Sequence, residues 1–286
     1  MSGAVQTGYA PPSGPTRPEP GWPRWLVVGT VLWALVLAAL TWLSVRDDGP
    51  TVREQRTLAE AGPVVDRAIG DLAVAAGDDA LVALLPATVE RGCRVTPFAD
   101  GATLERALTV RVAGAEPRTV LDRIADALPA RYAAGVVLSR EGARLRADAG
   151  DFVTVRGRQT ENGALLLTAD TGCRPLGSGS APTPVTGADA EAGAADAALR
   201  ALGRPAAGEP DLVAAPCPGG GVLRTARATA GPGTNPPSPA AVLAPLAAGP
   251  ALVDTPEWYA YRAGPVGVQV DLTADPPTVT ATTTCR

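Results

Sequence analysis

Residues 25–45, WLVVGTVLWALVLAALTWLSV, contain no ionisable side chain, and no other stretch restricts the fold as strongly. A helix over them rises about 31 Å, close to the hydrocarbon thickness of a bilayer, and satisfies its own backbone polar groups. Trp25 and Trp42 lie near its ends, where interfacial aromatics belong. A secretory signal has a shorter apolar core followed by small residues, whereas Thr41-Trp42-Leu43-Ser44-Val45-Arg46 is bulky. The expectation is a retained single transmembrane helix over 25–45 in contact with the lipid bilayer.

Arginines flank this segment on both sides, so the positive-inside rule does not orient it. The cysteines do. Cys93, Cys173, Cys217 and Cys285 all follow the segment, none forms a C-x-x-C pair, and the chain has no histidine. Zinc and redox-motif readings lose their usual ligands, so no metal site is expected. An even, widely spaced set reads as disulfides, which persist in an oxidising compartment. The expected topology is a cytoplasmic N-terminus and an extracytoplasmic C-terminal domain at the cell membrane.

Residues 1–24 are rich in proline, glycine and serine, a composition that cannot bury enough apolar surface to fold, and are expected to be a disordered cytoplasmic tail. Residues 46–90 carry apolar positions at helical spacing, interrupted by Pro63 and Gly77-Asp78-Asp79, and are expected to form two or three helical segments. Thr51 with Glu54 has the spacing of a capping box. Asp78 and Asp79 read as a turn or cap.

An internal repeat organises the remainder. Lobe 1, residues 91–176, opens at Cys93 with a hairpin turning at Asp100-Gly101. An amphipathic helix over 120–128 follows, then strands near 135–138, 143–147, 152–156 and 164–169, and the lobe closes on Thr168-Ala169-Asp170-Thr171-Gly172-Cys173-Arg174. Residues 177–188 have linker composition. Lobe 2, residues 189–286, places an alanine-rich helix over 189–202 before Cys217, a glycine turn, a strand over 222–229 and a short helix near 242–247. It closes on Thr280-Ala281-Thr282-Thr283-Thr284-Cys285-Arg286. The connectivity that preserves the repeat is Cys93 with Cys173 and Cys217 with Cys285. The expected fold class is α+β: one N-terminal transmembrane helix, a helical segment, then two repeated disulfide-framed α+β lobes of hairpin, helix and antiparallel strands.

Every basic residue is arginine, a bias that reads as GC-rich coding. Without histidine or lysine, the commonest general base and any Schiff-base nucleophile are missing. No catalytic residue and no cofactor site stands out. Asp148 and Asp151 flank a glycine between strand-like runs and read as a turn. Gly219-Gly220-Gly221 lacks the lysine and the helix of a phosphate-binding loop. Trp258, Tyr259 and Tyr261 are the candidate ligand contacts; such a cluster either forms a stacking surface or fills an aliphatic core, and the core reading is favoured. A net charge of −4 gives no basic face for nucleic acid.

Residues Thr51-Val52-Arg53-Glu54-Gln55-Arg56, Pro63-Val64-Val65-Asp66-Arg67 and Gly172-Cys173-Arg174-Pro175 give the chain a resemblance to uncharacterised single-pass membrane proteins of GC-rich actinobacteria. That resemblance implies a proline-rich tail, one span and cysteine-framed α+β units, and no activity. The functional expectation is a non-enzymatic, membrane-tethered interaction or structural module with an envelope protein as partner. The alternatives are a ligand-binding module built on the aromatic cluster and a carboxylate-based cell-wall hydrolase.

Overall fold

A computed structural model describes residues 23–47, 56–177 and 185–285. Helix α1 (Arg24–Asp47) is one compact unit and the described residues from Arg56 onward are another. Among the described residues, α1 is the one helix long and apolar enough to cross a bilayer. Its two threonine hydroxyls donate back to the carbonyls of Leu26 and Leu37 at 2.8 Å, which suits an apolar medium. The expected tail, the Thr51–Glu54 box and most of the linker lie outside the described residues.

The second unit begins with α2 (Leu58–Ala75). Its capping box is Thr57 with Glu60: the Glu60 amide donates to Thr57 Oγ1 at 3.3 Å and the Thr57 amide to Glu60 Oε2 at 2.8 Å. The helix continues through Pro63, because burial of Leu58, Val65, Ile69 and Leu72 against the sheet outweighs the forgone amide bond. Of the helical segments expected over 46–90, the described residues 56–90 hold α2 followed by strand β1 (Leu81–Leu84), so the helical reading of Leu81 and Leu84 is corrected; the four strand residues are all buried and show no alternation to read.

Strands β2 (Thr88–Thr96) and β3 (Ala99–Arg111) form the expected hairpin, but it turns at Pro97-Phe98 rather than at Asp100-Gly101. Gly101 serves a close approach instead: a Cβ there would lie 2.4 Å from the Arg174 carbonyl oxygen. Helix α3 (Pro117–Ala127) then leads to β4 (Gly135–Ser139), β5 (Gly142–Asp148), β6 (Thr154–Gln159) and β7 (Leu165–Asp170). In the second half, α4 (Asp189–Ala201) precedes β8 (Asp211–Pro216), β9 (Val222–Thr229) and α5 (Pro239–Leu243). The strands β10 (Val253–Asp254), β11 (Trp258–Ala263), β12 (Val266–Asp271) and β13 (Thr278–Thr283) follow.

The result is α+β with two antiparallel sheets. The first runs β2-β3-β7-β6-β5-β4, with β1 also paired to β3; the second runs β8-β9-β13-β12-β11-β10. Cys93 is bonded to Cys173 and Cys217 to Cys285. Helices α2 and α3 cover the inner face of the first sheet, and α4 covers one face of the second, where Val268, Val270, Val279 and Ala281 pack with Leu199. The first core also takes in Ala215, Leu223 and Cys285 from the second half, so α2 is a shared wall.

Candidate functional site

The outer face of the first sheet is built by alternation. Along β5, Leu145 and Ala147 point into the core, leaving Arg144 and Arg146 outward; along β6, Val155 and Gly157 point in, leaving Arg156 and Arg158 outward. Gly157 has to be glycine, since a Cβ would sit 2.7 Å from Leu167 and 2.9 Å from Leu145. The register places Arg144 opposite Arg158 and Arg146 opposite Arg156. Like charges directly opposite each other weaken a sheet, so four arginines in a square oppose folding at this face.

Little neutralises them. Arg144 pairs with Glu141 on its own hairpin, while the guanidinium groups of Arg146, Arg156 and Arg158 make no hydrogen bond or ion pair among the described residues. The cluster lines a shallow hollow of about 290 Å³ whose floor includes Leu166 and Thr168 and whose rim holds Glu105. Burial, then the neighbouring Asp170 and Glu90 carboxylates, push the Glu105 carboxyl above the usual range, and Arg156 and Arg158 partly oppose that rise. A guanidinium presents a planar fork suited to phosphate or carboxylate oxygens, so this arrangement can hold an anionic group. The chain's net charge of −4 thus coexists with a local cluster of four arginines on this face. The motif Arg-x-Arg on each of two adjacent strands was the available sequence signal.

The three candidate aromatics do not share a face. Tyr259 and Tyr261 point into the second core, with ring centroids 5.8 Å apart. Burial, then the neighbouring Tyr259, push the Tyr261 hydroxyl up to about 12. Trp258 points the other way, and the Arg111 guanidinium lies 3.7 Å over its ring while donating to the Asn162 carbonyl at 3.0 Å. Arg111 thus covers the indole face on that side.

The remaining chemistry is structural. Asp148 Oδ1 accepts the Gly150 amide at 2.8 Å, and Asp151 pairs with Arg56 at 3.3 Å, so these two acids shape the β5–β6 turn. Among the described residues no cluster of three metal-ligating side chains occurs. A second hollow of about 760 Å³, beside Val74, Asp78, Pro265 and Cys285, holds one arginine, Arg262. That arginine already donates to the carbonyls of Asp78 and Ala80. Compared with protein-family models, curated proteins and solved structures, the chain matches none.

Proposed function

We propose that this chain is a membrane-anchored, extracytoplasmic, non-catalytic module of the cell envelope, and that its arginine face binds an anionic group on another envelope component. The observation that carries the reading is the exposed Arg146, Arg156 and Arg158, whose mutual repulsion an anion relieves. The helix α1, with all four cysteines after it and joined in pairs, supports placing the second unit outside the cell.

We also read the second unit as a tandem duplication of two lobes. Both sheets follow one order, from the opening hairpin to the last strand and back through the rest. Each disulfide ties the region of the first strand to the residues just after the last. The duplication supplies a scaffold of two sheets, and only the first carries the arginine square.

Charge reversal tests the binding reading. With Arg156→Glu and Arg158→Glu together, in-cell crosslinking from this face is expected to lose its products while circular dichroism stays at the parent's value and the melting temperature does not fall, since each new glutamate faces an arginine across the ladder. An unchanged crosslinking pattern overturns the proposal.

A further inference from the structure

Both of the chain's phenylalanines are exposed at one end of the first sheet. Phe98 forms the tip of the β2–β3 hairpin and is 99% exposed; Phe152, in the β5–β6 turn, is 38% exposed. The ladder puts them at the same end. Glu105, Asp170, Thr154 and Asp148 form one row across β3, β7, β6 and β5, and both turns lie beyond that row on the same side. Arg146 and Arg156 stand one outward position in from it.

The chain arrives at this end as well. Arg56 is ion-paired with Asp151 in the β5–β6 turn, and the Leu58 amide donates to the Pro175 carbonyl at 2.7 Å. Only residues 48–55 join Arg56 to the apolar helix in the sequence, a length that reaches at most about 30 Å when extended. Of the acids nearby, Asp151 is paired with Arg56 and Asp100 with Arg94, while Asp148 and Asp170 accept the amides of Gly150 and Gly172 and stand with Glu105 in the row between the arginines and the turns.

We propose that this end of the first sheet docks on the surface of an anionic phospholipid bilayer, with Phe98 and Phe152 entering the interface and Arg146 and Arg156 meeting lipid phosphates. The inference rests on the reading of α1 as a membrane anchor. Aromatic rings favour the interfacial layer, and each arginine near an anionic surface adds attraction that falls off within a Debye length. Eight residues of tether keep both elements at high local concentration over the lipid.

The test uses the full chain reconstituted in nanodiscs with a phospholipid carrying a diazirine near its acyl-chain carbonyl, photolysed and mapped by mass spectrometry. In discs containing phosphatidylglycerol, label is expected on α1 and on peptides covering 95–101 and 149–155, above the level on α4. Label at the two phenylalanine peptides is expected to fall about fivefold with Arg146→Gln and again with Arg156→Gln, and to be lost with Phe98→Ser and Phe152→Ser. These positions are exposed, so the variants keep the fold. Label on α1 alone, or equal label in phosphatidylglycerol and phosphatidylcholine discs, overturns the docking. An unlabelled α1 overturns the anchor reading beneath it.

Discussion

Asp71 sits on the buried side of α2, where its Oδ2 accepts the Tyr132 hydroxyl at 2.6 Å and the Arg131 guanidinium at 2.8 Å. Burial, then the hydrogen bond and charge of Asp71, push the Tyr132 hydroxyl well above its ordinary range, so it stays a donor. Asp71→Ala leaves a fully buried phenol without its acceptor and is expected to cost about 2 to 3 kcal/mol, read as a shift in the urea midpoint at constant slope. Tyr132→Phe introduced on top should recover much of that loss, because both partners are then gone. If the double variant is no more stable than Asp71→Ala, the hydroxyl bond is not what the aspartate supports. None of this pairing was legible in the sequence: the partners stand 61 residues apart, and an aspartate in an amphipathic helix reads as solvent-facing. The arginine square was legible in part: Arg144-Leu145-Arg146 falls on the strand read over 143–147, whereas Arg158 lies two residues beyond the strand read over 152–156, which the structure extends to Gln159.

The sheet edges show why other elements escaped sequence reading. Residues 81–84 and 258–263 are covered on both faces and present no clean two-residue period, so one passed as helix and the other as a cluster of side chains. Val266-Gly267-Val268-Gln269-Val270, by contrast, places valine at every second position, a strand signal present in the sequence itself. The two disulfides differ in what they hold. In the chain-entropy treatment, loops of 80 and 68 residues predict nearly equal contributions of about 4.5 kcal/mol each. Cys93, however, lies on a hairpin strand whose residues are mostly exposed, while Cys285 is buried in the first core. Replacing Cys93 and Cys173 by alanine is therefore expected to free the hairpin locally, with new proteolysis near 88–100 and a small change in Tm. Replacing Cys217 and Cys285 should lower Tm by several degrees more. Equal shifts in Tm would return the explanation to loop length. On the arginine face, Glu105 supplies a pH dependence. Its carboxyl is raised in the folded chain, so on acidification from neutral it takes up a proton before ordinary glutamates do. Stability then rises as pH falls through the folded value, and the face becomes more positive. Binding of a polyphosphate probe is expected to tighten from pH 7 to pH 5, and Glu105→Gln should flatten that profile near its acidic limit; an unaltered slope in the variant would exclude Glu105 as its source.

At the scale of the molecule, the question is whether the two sheets are separate lobes or one cooperative body. Three contacts argue for the latter. The Leu84 amide, on β1, donates to the buried Thr225 hydroxyl of β9 at 3.1 Å, and Thr225 in turn bonds Thr282 of β13 at 2.8 Å. A Cβ on Gly267 of β12 would come within 2.7 Å of Leu81. Arg106 reaches from β3 past Asp66 to the Ala214 carbonyl of β8 at 2.7 Å. The tightest approach is α2 against β8, where a Cβ on Gly70 would lie 2.1 Å from the Pro216 carbonyl oxygen. Backbone offers no rotamer to yield, so Gly70→Ala forces the helix off the strand and is expected to cost about 3 kcal/mol. Gly70 has helical dihedrals, so the loss is steric overlap and not backbone strain; it is placed at the joint between the halves. If the joint couples them, hydrogen exchange in β12, inside the second sheet, accelerates by the same free energy as exchange in β6, and calorimetry of the full chain in detergent shows one transition moved to lower temperature. If β6 loses protection while β12 keeps it, the sheets unfold as independent lobes, and the contacts through Leu84, Thr225 and Arg106 join them without making them cooperative.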